Sequence, residues 1–490
     1  MKENIFKTQM ETSSVFESGE YKKIINRGLH YFADMERSMY LELSKYELKS
    51  FLEDAYSKQS DDGMFRLLDD ERMPSDIRQI TWYKPTYAVC VVSVYAFVNY
   101  PDLFSEELKA KFKKLLDIAF GHGIVEHGGF EGTALTLLLS LIKAGCRKFI
   151  EENRDFSAVF TEVIERRISR LAEIAGSDKT FYQHGDFSET PVNARAKQIV
   201  AAWNGKDTAV FVYGTLKRKE NAADLLCNSV FGGYYKLSGY KLIDLGSYPG
   251  IIESEKGTVL GEVYYVDKQT LESLDRYESN GSLYNRETLT VSGELGRTVA
   301  EVYVYADKEI NAEFCGEYWN LKDSDYVWYA AYGSNLDPVR FSCYILGGKL
   351  TGSSKLYTGC ADKTLWNEDK TDTVNGKVYF ANSSTRWNGK GVAFFDGNGR
   401  EKVFVHKYKI TFGQLKGVWS QEGNGYGWYD SLLCLGISKD GCPVYTITSS
   451  GPRPANKPDE AYLKIIENAL EKEFNLSKRE ISRYLKTLMP

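Results

Sequence analysis

Apolar residues recur at three- and four-residue spacing through "SMYLELSKYELKSFLEDAYSK" (38–58), and again through 133–144 and 158–173. That spacing puts them on one helical face, so residues 1–203 are expected to form an all-helical domain of about eight helices. The stretch "YAVCVVSVYAFVNY" (87–100) is apolar all round and lies between Pro85 and Pro101. It is shorter than the roughly 20 residues that span a bilayer, so it predicts a buried helix.

The period changes after Asp207. "GTVLGEVYYVD" (257–267) and "TVAEVYVYAD" (298–307) are rich in β-branched and aromatic residues on alternating faces, which predicts strands. A short helix, "KQTLESLDRYE", interrupts them, and this second region is expected to span 207–312. A third region, 325–490, repeats the texture in "KVYFAN", "GVAFFD", "KVFVHKYKI" and "PVYTITS". It closes on two helices, the last opening with Ser477 and Glu480 at capping-box spacing. The pair could mimic a helix-turn-helix, but no basic cluster marks the final helix, so plain packing helices are expected.

Two strand-like runs end alike. "VFVYGTLKRK" (210–219) stops on Tyr213-Gly214-Thr215-Leu216, and "VWYAAYGSNLD" (327–337) stops on Tyr332-Gly333-Ser334-Asn335-Leu336. Glycine after a strand permits positive φ and close approach of a ligand to the backbone. Thr215 and Ser334 add hydroxyls. Asp337 and Pro338 suit an N-cap and a first helical position, and free N–H groups at such a junction bind a carboxylate. Downstream, Leu271, Leu274 and Glu278 share a spacing with Leu415, Val418 and Glu422. Positions i, i+3 and i+7 lie on one helical face, so each glutamate is expected to point inward. Glu272 and Asp275 fall off that stripe and are expected to be solvated. An inward carboxylate is costly unless paired or used. Glu278 alone could end its helix at the surface or pair with Arg286; two such glutamates, each after a Tyr-Gly turn, favour function.

Composition narrows the picture. A net charge of −5 points to no nucleic-acid or membrane partner. Eight scattered cysteines without a Cys-x-x-Cys pair read as reduced thiols. Cys90 and Cys343 lie in apolar runs and are expected to be buried. "MKENIFKTQMETSS" has no apolar core or cleavage site, so a cytoplasmic location is expected. His122 and His127, with Glu126 and Glu131, are too loosely spaced for a metal site, and a structural turn is favoured. His184 and His406 are isolated and read as surface or hydrogen-bonded residues.

The combined motifs resemble the gamma-glutamylcyclotransferase superfamily, twice. Residues 208–306 resemble gamma-glutamylamine cyclotransferase-type domains in "VFVYGTLK", "GYKLIDLGSYPGII", "GEVYYVD", "LDRYE" and "LYNRETLTV". The third region resembles a more divergent branch in "WYAAYGSNLDPVRF", "GVAFF", "YKITFGQLKGVWSQEG" and "PVYTIT". The resemblance implies a multidomain α+β chain: an all-α N-terminal domain, matched to no family, followed by two small β-barrels with flanking helices. It implies a small-molecule γ-glutamyl substrate, release of 5-oxoproline and a free amine, and neither cofactor nor metal. It assigns substrate binding to the two Tyr-Gly loops and general acid/base roles to Glu278 and Glu422. Ser279 stands where family members often have Gly, as Gly423 does after Glu422. An insertion at about 351–377 separates loop and glutamate more widely in the third region. The rival reading is a binding or scaffold protein in which one or both barrels keep the pocket without the chemistry.

Overall fold

The computed structural model describes residues 43–66, 82–121, 132–177, 179, 181–183, 190–218, 220–293, 295–308, 310, 312–350, 355–423, 425 and 427–489. The His122–Glu131 cluster and His184 lie outside them.

Six helices form most of the N-terminal core: α1 (Lys45–Tyr56), α2 (Lys84–Asn99), α3 (Glu106–Gly121), α4 (Gly132–Lys143), α5 (Cys146–Glu152) and α6 (Ala158–Ala175). α2 is the all-round apolar stretch, and Val89 to Val92 are fully buried at its centre. No helix among the described residues is long and apolar enough to cross a membrane.

α7 (Asn193–Trp203) carries two apolar faces. Ala196, Ile199 and Ala202 join the helical core. Ala194 and Ala201, one i,i+7 pair, join the core of the second region instead. Small side chains let the helix approach closely: the Ala194 N–H donates to the Leu295 carbonyl at 3.0 Å and its carbonyl accepts from the Tyr265 hydroxyl at 3.3 Å.

The second region is a closed five-stranded barrel of β1 (Thr208–Val212), β2 (Val230–Asp244), β3 (Pro249–Val266), β4 (Tyr284–Gly293) and β5 (Gly296–Tyr305), in the order β1-β3-β2-β4-β5. β1 sits between antiparallel β3 and parallel β5. α8 (Lys268–Tyr277) follows β3, with Asp267 capping its first turn. Closure rests on one pairing, Lys236 with Ser292, between β2 and β4.

The third region contains β6 (Tyr326–Ala331), α9 (Pro338–Leu346), β7 (Asp369–Ser384), β8 (Lys390–Thr411), α10 (Phe412–Gln421), β9 (Ser431–Ile437) and β10 (Pro443–Thr448). Its strands run β7-β8-β6-β10-β9. This is the barrel order cut at one place: β6 lies between antiparallel β8 and parallel β10, as β1 lies between β3 and β5. The pairing that would close it, β7 to β9, is absent among the described residues. The expected second barrel is therefore an open sheet of the same order. α11 (Glu460–Phe474) and α12 (Lys478–Leu488) pack on it, and Ser477 and Glu480 form the expected capping box. Asp337 caps α9 with Pro338 at its first turn, also as expected.

Cys90 is buried, whereas Cys343 is only half-buried. α9 buries Arg340, Phe341, Tyr344 and Ile345, and position 343 turns off that face.

Tyr235 is fully buried, and among the described residues its hydroxyl has no hydrogen-bond partner. Desolvating an unpaired hydroxyl is unfavourable, so Tyr235→Phe is expected to stabilise the barrel by about 1 kcal/mol. A urea-unfolding midpoint at or below wild type would contradict this.

Candidate active site

β1 runs straight into Tyr213, whose buried hydroxyl donates to the Tyr303 carbonyl on β5 at 2.7 Å. The chain then leaves the sheet. Among the described residues, the N–H groups of Gly214, Thr215 and Leu216 have no protein acceptor. Gly214 is required for space: a Cβ there would lie 2.6 Å from Pro249 Cγ. Neither Gly214 nor Gly333 has the positive φ that the sequence suggested; Gly333 is at φ −112°. The Thr215 hydroxyl is hydrogen-bonded to Tyr277 at 3.1 Å.

The loop borders a cavity of about 240 Å³ lined by Phe211 to Leu216, Tyr248, Pro249, Tyr277, Glu278, Leu283, Tyr284 and Tyr303. Among the described residues, Glu278 is the one acid in its lining, and no lysine or arginine lines it. The residue caps the end of α8, on the same stripe as Leu271 and the fully buried Leu274. Among the described residues its carboxyl makes no ion pair or hydrogen bond.

The neighbouring phenols explain why. Tyr213 donates to the Tyr303 carbonyl, Tyr284 to the Pro249 carbonyl at 2.7 Å, and Tyr303 to Asp275 at 2.9 Å. Their hydroxyl protons are spent elsewhere. Arg286 is drawn off by Asp275 at 3.1 Å and Glu301 at 3.4 Å. Asp275 is therefore part of a network and not the solvated acid expected. Burial without a compensating donor pushes the Glu278 carboxyl from an ordinary 4.5 up to about 7.

The third region builds the same frame with different contents. The Tyr332 hydroxyl donates to the Ile447 carbonyl on β10 at 2.8 Å. Glu422 caps α10 on the stripe of Leu415 and Val418, both fully buried. Its carboxylate accepts from Asn335 Nδ2 at 2.7 Å. Tyr462 of α11 reaches the loop: its hydroxyl interacts with the Ser334 backbone, and it accepts from the Ala393 N–H at 3.3 Å. A Cβ on Gly333 would lie 3.1 Å from that hydroxyl. Leu336 is fully buried.

Several site residues escaped sequence reasoning. "GSYPG" reads as a turn, yet Tyr248 and Pro249 wall the first cavity. His406, read as a surface or hydrogen-bonded residue, is the latter: it is buried, with Nδ1 3.0 Å from the Leu336 carbonyl and Nε2 2.6 Å from Asp369. Tyr408 donates to the Asn335 carbonyl at 2.9 Å. The two fix the third region's loop, and their i,i+2 placement on a strand was the available signal.

Residues 210–321 match the family model described as gamma-glutamyl cyclotransferase, AIG2-like. A putative gamma-glutamylcyclotransferase of Vibrio cholerae is 39% identical over 99 residues, 20% of this chain and 82% of that protein. The chain belongs to the gamma-glutamylcyclotransferase family. Histone deacetylase 5 of Arabidopsis thaliana is 30% identical over 200 residues, 32% of this chain, and the chain spans only 30% of that protein's length. The crystal structure of YkqA from Bacillus subtilis is similar at 19% identity and a TM-score of 0.32, covering 58% of this chain and 98% of YkqA.

Ser279 holds φ 51°, the left-handed region that Gly423 occupies at φ 83° after Glu422. A non-glycine residue is strained there. Ser279→Gly is expected to raise stability by about 0.5 kcal/mol. Thermal unfolding checks this, and a lowered midpoint would refute it.

Proposed function

We propose that the barrel of residues 207–312 is a γ-glutamyl cyclotransferase in which Glu278 serves as general acid and base. The observation that carries this reading is the half-buried Glu278 carboxyl, unpaired among the described residues, sharing one cavity with a loop whose N–H groups have no acceptor among them. The substrate's α-amine attacks its own γ-carbonyl carbon, and a new C–N bond closes a five-membered ring. Glu278 takes the proton from the attacking nitrogen and returns it to the departing nitrogen as the old C–N bond breaks. The products are 5-oxoproline and a free amine; electrons and protons balance without a co-reactant. Holding the γ-glutamyl chain folded supplies proximity. A carboxyl poised near neutrality suits both proton transfers. The N–H groups of Gly214, Thr215 and Leu216 receive the α-carboxylate or the developing oxyanion.

The third region supports a second reading, ligand binding without turnover. Its loop is engaged by Tyr462, and Glu422 already accepts from Asn335.

A mass-spectrometric screen of γ-glutamyl compounds for 5-oxoproline release, run on the full chain, tests both. Glu278→Gln is expected to lower turnover of an accepted substrate at least about 100-fold. Glu422→Gln is expected to leave that turnover within a few-fold of wild type. If Glu278→Gln retains activity, the assignment fails.

The raised carboxyl also predicts a pH dependence of stability. The neutral acid is preferred on folding, so its contribution is fully present below pH 4.5 and is lost as pH rises through about 7. Glutamine cannot ionise. Glu278→Gln is therefore expected to gain on wild type between pH 4.5 and 8, by at most about 3 kcal/mol. Denaturant midpoints at the two pH values measure it; a constant difference would contradict the burial of the carboxyl.

A further inference from the structure

The loop of the first site is closed on its carbonyl side. The Lys217 N–H donates to the Gly214 carbonyl at 3.1 Å, and the Ala222 N–H donates to the Thr215 carbonyl at 3.0 Å. The Arg218 N–H donates to Glu262 Oε2 at 2.9 Å. Glu262 is buried on β3, and the same oxygen accepts from the Tyr264 hydroxyl at 2.9 Å. Between these bonded groups stands Lys217, which is only 1% exposed.

A buried ammonium is costly unless other groups replace its water. Two groups do so here, and both come from the stretch 313–325 that leads from the barrel to β6. Lys217 Nζ donates to the Trp319 carbonyl at 3.0 Å and lies 3.4 Å from the centre of the Tyr318 ring. Burial pulls the ammonium from 10.5 down to about 8, with Glu220, Glu262 and Asp325 opposing the shift, so it remains a cation at pH 7. The stretch is itself gripped at both ends. The Leu260 N–H on β3 donates to the Glu317 carbonyl at 2.7 Å, and Trp319 packs on the barrel core. At the other end the Phe412 and Gly413 N–H groups, at the start of α10, donate to the Asp325 and Asp323 carbonyls at 2.8 and 2.9 Å. Lys416 of α10 pairs with Asp323 at 2.5 Å, and the Tyr445 hydroxyl on β10 donates to Glu317 at 3.4 Å. One run of contacts thus joins the first site's loop to α10, the helix that ends on Glu422.

We propose that Lys217 is a positioning residue for the first site, holding the N–H groups of Gly214, Thr215 and Leu216 in place by anchoring their loop on Tyr318 and Trp319. The loop has left the sheet, so no strand ladder holds it. A side chain locked on a carbonyl 102 residues away removes freedom that substrate binding would otherwise have to freeze. The junction to the third region, and not the barrel strands alone, then sets the loop. The link to substrate rests on the catalytic reading above; the anchor rests on the contacts of Lys217.

The test uses the full chain. Amide hydrogen exchange at Lys217 and Ala222, whose N–H groups close the loop, needs no substrate. Lys217→Met keeps the apolar stem and removes the charge. It is expected to speed exchange at both amides about 10-fold or more while β2 and β3 keep their protection. Tyr318→Leu, which removes the ring from the junction side, is expected to do the same, and it decides the matter should Lys217→Met unfold. With a γ-glutamyl compound that the wild type turns over, each variant is expected to raise KM about 10-fold with kcat within a few-fold, because amides that hold the α-carboxylate do so before and during reaction. The double variant is expected to add little to either single change. A purely structural role lowers the amount of active enzyme, and so kcat, at constant KM. Unchanged loop exchange, exchange raised alike across the whole barrel, or a kcat loss at constant KM would overturn the proposal. If no compound yields 5-oxoproline, the exchange result still decides, so failure of the catalytic reading is distinguishable from failure of this one.

Discussion

A tyrosine hydroxyl bonded across two parallel strands sets the position of both loops. Tyr213 reaches the carbonyl of Tyr303, and Tyr332 reaches that of Ile447. Each tyrosine directly follows the one strand that pairs antiparallel on one side and parallel on the other. Parallel neighbours cannot be joined by a tight turn, so the chain must leave the sheet at this point. The next residue has no Cβ because Pro249 or Tyr462 stands where it would go. The N–H groups beyond it have left the ladder. The exposed backbone of each loop is thus a consequence of how the central strand terminates, and the tyrosine is its anchor.

The glutamate is delivered by a second constraint. α8 and α10 each begin on a capped turn and present an apolar stripe to the core. Both end where the glutamate takes the C-cap and the next residue turns left-handed. A carboxylate at a helix C-terminus gains nothing from the helix dipole. At Glu278 the surrounding phenols and Arg286 are committed to other acceptors, so burial acts without opposition. The Glu422 carboxylate instead accepts from the Asn335 amide. One frame therefore supports two different carboxyl environments, decided by side chains outside the helix.

Local signals were legible in the sequence. Helical spacing located α1, α2, α4 and α6, the capping box located α12, and the i,i+3,i+7 stripe placed both glutamates beside their loops. What was illegible depends on contacts between distant segments. The missing β7–β9 pairing leaves no trace in the period of either strand. The divided face of α7 looks like one alanine-rich helix until two cores claim it. Asp275 reads as a solvated neighbour of Glu278 because Arg286 and Tyr303 come from other strands.

The same distance dependence explains how two copies of one frame can diverge. The strand order, the tyrosine anchor and the capped helix are each fixed by backbone hydrogen bonds and core packing, so they tolerate little change. Side chains that reach a site from segments outside the sheet, as Tyr462 does from α11, carry fewer of these demands. Substitution in these outer segments alters what the site holds while the loop and the carboxyl stay in register. Two sites sharing a topology can then differ in what surrounds the glutamate: among the described residues the Glu278 carboxyl has no hydrogen-bond partner, whereas Glu422 accepts from Asn335.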